Sequence, residues 1–370
     1  MAHAVQYAAY GGPEVLEVVE IPTPEPRADE VLVEVFAAGV NPVESVERRG
    51  ESVPHESLPR RPGREFAGTV VLAGPDVLRF DRGDDVIGRV DRGGLATHVV
   101  AREDRIVRRP PGVSWEVAGA LPVAGTTAWR AVEGLGLTPD DTVVVTAAAG
   151  GVGCLAAQFA RLRGATVLGT SADSRFDFLR QFGVIPLAYG PDLAGRASTA
   201  ATAAGGRRVT AFLDFLGGEA AEASRLGVPA SRTLTTLDRL AVEGGMATVV
   251  DPGDRYDLER VVAAVAEHRV RLPIADVFPL AEVGDAYRAL DRRDAPGKIV
   301  LGMRIVDYRG QHVRVTALKE QDLTLGVPTP HDQLEVEEAV PAAILDGSVR
   351  RRHREERADA ASAADSEPSG

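Results

Sequence analysis

Val143-Val144-Val145-Thr146-Ala147-Ala148-Ala149-Gly150-Gly151-Val152-Gly153 decides the fold. A β-branched run feeds a glycine cluster, and the cluster opens Cys154-Leu155-Ala156-Ala157-Gln158-Phe159-Ala160-Arg161-Leu162, a helical pattern. Strand, tight glycine turn and helix together present free backbone N–H groups and a positive dipole end, and the glycines let the backbone approach phosphates. A second β-rich run, Ala165-Thr166-Val167-Leu168-Gly169-Thr170, follows at the spacing of a βαβ unit. The motif therefore predicts a dinucleotide site built from Ala149, Gly150, Gly151, Val152 and Gly153. The alternative is a β-to-α turn without a ligand.

Downstream of about Val123 the chain alternates between the two periodicities. Strands are predicted at 142–147, 165–170, 185–189, 209–214, 232–236 and 246–250, and helices at 152–163, 173–182, 218–226 and 257–268. Such alternation implies a parallel sheet covered on both faces. A helix over 281–291 and a strand over 298–301 follow. Upstream, 16–21 and 30–35 alternate apolar and polar residues, and 68–74 and 85–88 read as further strands between Gly, Asp and Pro turns. Past Met303 the order weakens, and the pattern predicts a hairpin over 305–318 and a short helix over 333–345. From Arg350 an Arg/Glu cluster leads into an Ala/Ser/Asp-rich end, which predicts a disordered tail with a solvated charge cluster.

Bulk properties narrow the function. The 370 residues suggest about two domains, and 44% hydrophobic content is ordinary for a globular protein. A net charge of −12 argues against a nucleic-acid partner, and no apolar run is long enough to cross a membrane. The first residues lack the basic-then-apolar pattern of a secretory signal, and the single cysteine, Cys154, allows no internal disulfide; a cytoplasmic location is the expectation. Cys154 sits where a helix N-terminus favours thiolate, yet it reads as a packing residue behind the glycine loop. The scarcity of lysine fits a GC-rich coding bias.

Seven fragments occur in order: Ala38-Gly39-Val40-Asn41-Pro42-Val43, Pro62-Gly63-Arg64-Glu65-Phe66-Ala67-Gly68, Phe80-Asp81-Arg82-Gly83-Asp84-Asp85-Val86-Ile87-Gly88, Leu121-Pro122 through Thr127-Ala128-Trp129, the glycine run, Asp214-Phe215-Leu216-Gly217-Gly218, and Gly297-Lys298-Ile299-Val300-Leu301. Over roughly residues 3–303 the series resembles the zinc-free quinone oxidoreductase branch of the medium-chain dehydrogenase/reductase superfamily. The resemblance implies an α/β fold in which a GroES-like β-rich catalytic domain (1–122 and 270–303) carries an inserted doubly wound Rossmann domain (123–269). Residues 304–349 would be an extension of unknown role and 350–370 a disordered tail.

The resemblance also distributes roles. Zinc-dependent relatives have a Cys and a Gly-His-Glu motif where this chain has Gly39-Val40-Asn41 and Gly63-Arg64-Glu65, so no metal is expected; arginine does not ligate zinc. Glu65 is then structural, pairing with Arg64 or a loop. Ser171 stands at the end of the second strand, where an NAD-preferring domain has an acid, and Arg175 follows; a hydroxyl and a guanidinium suit a 2′-phosphate, hence NADPH. Asp173 opposes that charge unless it caps the next helix. Tyr189 matches a tyrosine near the adenine ribose phosphate. Asn41 and Thr127 would fix the nicotinamide, unless Asn41 forms a turn and Thr127 opens a helix. Leu216, Leu237 and Val250 would line the cleft or pack the core.

The catalytic acid is missing. The tyrosine of related reductases is replaced by Val46 beside Ser45, or by Glu51 and Ser52. The proton then comes from water, or from Ser45 or Glu44 through water, and the catalytic candidates are Asn41, Ser45 and Thr127. The expected activity is NADPH-dependent hydride transfer to a small electrophile, a quinone or an α,β-unsaturated carbonyl, in a pocket shaped by a loop over 44–61. The alternative is an NADPH-binding sensor or scaffold working through 304–370. Relatives pair sheet edges, so a homodimer through 246–250 is expected.

Overall fold

Near-continuous burial along Glu30–Gly39 makes this long strand the spine of the first sheet. The computed structural model describes residues 1–51, 57–236, 253–293 and 295–303; Leu237, Val250, the strand expected over 246–250 and everything expected over 304–370 lie outside them. In chain order the strands are β1 (Ala2–Gln6), β2 (Glu17–Ile21), β3 (Glu30–Gly39), β4 (Glu65–Ala73), β5 (Asp85–Arg89), β6 (His98–Arg102), β7 (Ile106–Arg108), β8 (Thr142–Val145), β9 (Thr166–Ser171), β10 (Ile185–Ala188), β11 (Ala211–Asp214), β12 (Thr233–Thr235), β13 (Ile274–Pro279) and β14 (Lys298–Gly302). The helices are α1 (Pro42–Arg48), α2 (Trp115–Leu135), α3 (Gly151–Leu162), α4 (Phe176–Gln181), α5 (Leu193–Ala203), α6 (Ala220–Arg225), α7 (Arg255–Ala266) and α8 (Val283–Arg292).

Strands β13, β14, β3, β4, β5 and β7 form one sheet in that order, with β6 also paired to β3, and β1 pairs β2 in a separate antiparallel ribbon. Here β14 returns late in the chain to lie antiparallel to β3. The second sheet is parallel, in the order β10-β9-β8-β11-β12. Its order reverses between β8 and β11, and the crevice beyond the carboxyl ends of such strands is where ligands bind. The fold is thus the expected GroES-like sheet plus a doubly wound Rossmann sheet.

The 21-residue helix α2 was not legible as one element, and the expected boundary at 122/123 falls inside it. Pro122, Gly119, Gly125 and Gly134 resemble helix breakers. Two of these glycines serve close packing. A Cβ on Gly119 would stand 2.4 Å from the Ala37 carbonyl oxygen of β3, and one on Gly125 would stand 2.4 Å from Val261 Cγ1 of α7. The apolar core accordingly runs from Ala37, Ala67 and Ile87 of the first sheet through Ala120 and Leu121 of α2 to Leu155 of α3 and to Val143 and Leu213 of the second sheet. Thr127 is interior to this helix and does not open it.

Three further elements depart from the expectation. The segment read as a loop from residue 44 begins as α1, started by Pro42 at a position where its missing N–H costs nothing. Helix α5 buries Leu193, Ala197 and Ala201 at four-residue spacing, but its Ala/Thr composition hid the stripe. Asp173 does not cap: the cap positions are Ala172 before a short 3-10 turn and Arg175 before α4, and neither uses its side chain. No described helix is long and apolar enough to cross a membrane.

Candidate functional site

A cleft of about 350 Å³ opens at the carboxyl end of the parallel sheet. Its floor is the glycine loop. Gly150 N donates to Ala147 O at 2.9 Å, and Ala147 holds φ 48°. That left-handed conformation is costly for a non-glycine residue and marks a constrained turn. Thr170 Oγ1 accepts from Ala147 N at 3.2 Å, so β9 clamps the turn. The glycines divide the work. A Cβ on Gly153 would lie 2.3 Å from Ala147 O, so this position lets α3 pack on the strand; a Cβ on Gly150 would meet only Ala147 O, at 3.3 Å. The space above Gly150 belongs to the cleft, and a bare loop below a helix N-terminus suits a pyrophosphate.

Asp214 organises the opposite lip. This fully buried carboxylate accepts from Thr146 Oγ1 at 2.8 Å and from the N–H groups of Leu216, Gly217 and Glu219 at 3.2, 2.9 and 3.2 Å. The fixed turn places Leu216 in the cleft wall. Ser171, Ser174, Arg175 and Tyr189 line the outer end, where they are joined by Arg293, which caps α8 in the left-handed conformation. Burial pushes the Tyr189 phenol above its ordinary value, and the Arg293 charge pulls it back.

At the inner end four of the sequence fragments meet. Lys298 Nζ donates to Val40 O at 2.8 Å, to Asn41 Oδ1 at 2.7 Å and to Glu65 Oε1 at 2.9 Å. Asn41 Nδ2 donates to Glu65 Oε1 at 3.0 Å and reaches Glu44 Oε1 at 3.5 Å. Glu65 Oε2 accepts from Val123 N at 2.7 Å, immediately after Pro122 in α2. Gly39 is required beside this group, because a Cβ there would stand 2.3 Å from Glu65 Oε1. Glu44 closes a capping box on α1: its Oε2 accepts from Asn41 N at 2.9 Å and from Tyr287 Oη at 2.6 Å. Burial, only partly offset by the hydrogen bonds from Tyr287 and Asn41 and by the Lys298 charge, raises the Glu44 carboxyl to about 7.

Asn41, Ala149, Gly150, Gly151, Val152, Gly153, Ser171, Arg175, Tyr189 and Leu216 thus come together in one cleft. Thr127 does not line it; Ala124, one turn earlier in α2, does. Ser45 and Glu44 do not line it either. Ser45 is buried, with its hydroxyl 3.5 Å from Arg48 Nη2. Glu65 is structural, but its partners are Lys298, Asn41 and the α2 backbone, whereas Arg64 pairs with Glu47. Cys154 is buried, its thiol pushed up to about 12 by that burial, which fits a packing role. Lys298, Ser174 and Arg293 received no role in the sequence reading. Lys298 carried a compositional signal: it is one of two lysines in the chain.

The chain matches the family model "Alcohol dehydrogenase GroES-like domain" over residues 27–111 and "Zinc-binding dehydrogenase" over residues 184–301. The quinone oxidoreductase of Pseudomonas aeruginosa is 31% identical over 328 residues, which cover 81% of this chain and 99% of that protein. A chloroplastic quinone-oxidoreductase homolog of Spinacia oleracea is 38% identical over 197 residues, and the chain spans only 59% of that relative's length. A mycobacterial structure solved in complex with NADPH superposes with a TM-score of 0.70 at 26% identity, covering 82% of this chain and all of that one (100%).

Proposed function

Because the chain belongs to the quinone oxidoreductase branch of the medium-chain dehydrogenase/reductase superfamily, we propose that it is an NADPH-dependent, zinc-independent reductase of quinones or α,β-unsaturated carbonyls. The observation that carries this reading is the cleft itself: a constrained glycine loop at the switch point of a parallel sheet, with space left open above Gly150. Bound NADPH supplies hydride from the nicotinamide ring. Gly150 would give close approach to the pyrophosphate. Ser171, Ser174 and Arg175 would hold the 2′-phosphate, with Tyr189 and Arg293 at the same end. Support for the phosphorylated coenzyme comes from Ser171, which ends β9 where an NAD site needs an acid, and from Asp173, which stays out of the cleft wall.

Asn41 faces the inner end with its amide already committed. Its Nδ2 points at Glu65 and Glu44, and its Oδ1 takes one bond from Lys298. The donor set supports metal-free chemistry. Arg64 is a permanent cation paired with Glu47, and Asn41 is tied into the Lys298 cluster. With Glu44 and Ser45 outside the cleft wall, the product anion takes its proton from solvent, which a hydroquinone anion tolerates.

The test uses the full chain with NADPH and a panel of quinones and enones, following the absorbance of reduced nicotinamide. Expected are turnover with at least one acceptor, a preference for NADPH over NADH of about tenfold or more, and no loss of activity with a chelator. No turnover with any acceptor, or chelator inactivation reversed by zinc, would overturn the assignment.

A further inference from the structure

Asn41 is the only asparagine of the chain, and among its 42 cationic side chains only Lys298 and Lys319 are lysines. The two rare residues touch: Lys298 Nζ lies 2.7 Å from Asn41 Oδ1. A chain that writes nearly every cation as arginine keeps a lysine at this point for a geometric reason. Val40 O, Asn41 Oδ1 and Glu65 Oε1 surround one nitrogen at 2.8, 2.7 and 2.9 Å. An ammonium offers three donors from a single atom, whereas a guanidinium spreads its donors over a planar fork.

The lysine stem is also placed. A Cβ on Gly151 would stand 2.6 Å from Lys298 Cδ and 2.7 Å from its Cγ, so the stem lies against the glycine loop. The residue before it is docked on the same loop, Gly297 N donating to Ala149 O at 2.8 Å. One side chain therefore spans from the loop assigned to the pyrophosphate to the amide assigned to the nicotinamide end.

We propose that Lys298 is the positioning residue of the cleft. Its ammonium holds Asn41 Oδ1 and the Val40 carbonyl, and so fixes which way the Asn41 amide faces at the inner end of the cleft. The group this end of the cleft would receive is the nicotinamide end of the coenzyme. This rests on the coenzyme reading above and adds to it the residue that sets the orientation of Asn41. Lys298 acts through Asn41 and the loop and takes no part in bond making.

The experiment exploits the lone asparagine. Full-length protein carrying 15N only in asparagine gives a single side-chain amide pair, that of Asn41. In coenzyme-free wild type these two signals should be well separated, one proton donating to the Glu65 carboxylate. Lys298→Met should move the pair toward free-amide positions. It should lower the rate of hydride transfer by about 10- to 100-fold while changing NADPH affinity by less than about threefold, as expected for lost orientation with the stem retained. Lys298→Arg should fail to restore the signals, which separates orientation from charge. The pair Glu65→Gln with Lys298→Met removes both buried charges and reads the same signals should the single variant fold poorly. An unchanged Asn41 pair in the methionine variants, or full restoration by arginine, would overturn the proposal. A wild-type chain that ignored NADPH would instead refute the coenzyme assignment, while the coenzyme-free Asn41 signals still decide the role of Lys298.

Discussion

Glu44 shows how one residue converts burial into a pH response. Its carboxyl titrates at about 7 in the folded chain, against an ordinary 4.5. Tyr287, Asn41, Lys298 and Glu65 face it, and Arg48 reaches over the Tyr287 ring. Between those two values the folded state binds more protons than the unfolded state, so this group's contribution falls as pH rises. The contribution is fully present below 4.5 and gone above about 7, on the order of 3 kcal/mol in total. Glu44→Gln mimics the neutral carboxyl. Thermal melts of wild type and variant, compared between pH 5 and 8, should show the wild type losing stability relative to the variant as pH rises. Parallel curves would contradict the assignment. At this scale the sequence was partly legible. Asn41, Arg175 and Tyr189 were named from the family resemblance, and all three line the cleft. Lys298 was passed over because its partners, Asn41 and Glu65, lie 257 and 233 positions away, and Glu65 was given the neighbouring Arg64 because chain proximity was the only distance available.

Within the loop-and-helix element that begins at Ala147, two glycines should respond differently to the same methyl group. Gly153→Ala forces a Cβ to 2.3 Å from the Ala147 carbonyl oxygen, a backbone atom. Overpacking of this kind should cost about 1–3 kcal/mol. Gly150 has φ −80° and an open side, so Gly150→Ala should fold with a midpoint within about 2 °C of wild type. The added methyl then occupies coenzyme space, and NADPH affinity should fall about tenfold or more. Melts beside binding titrations check the pair; equal destabilisation by both substitutions, or unchanged affinity in Gly150→Ala, would refute the division of roles. Elements with strong periodicity, such as β3, α3 and the strands of the parallel sheet, were readable in the chain. Helix α2 was not, because its glycines and Pro122 make sense only against β3, Glu65 and α7.

For the molecule as a whole, the order of sequence fragments carried the architecture. The glycine run announced the parallel sheet, and the return of Gly297-Lys298-Ile299-Val300-Leu301 to the first sheet appears as β14 beside β3. What the order could not convey is convergence. Fragments around residues 41, 65, 122 and 298 close on one buried cluster at the inner end of the cleft, and that cluster joins the two sheets through α2 and the glycine loop. The central claim is that a coenzyme phosphorylated on its adenosine side lies across this cleft. Isothermal titration of the full chain with NADPH and with NADH tests it most directly. One NADPH per chain, bound about tenfold or more tightly than NADH and with that preference lost in Arg175→Ala, is the predicted result. Absence of NADPH binding by the folded chain, or equal affinity for the two coenzymes, would contradict it.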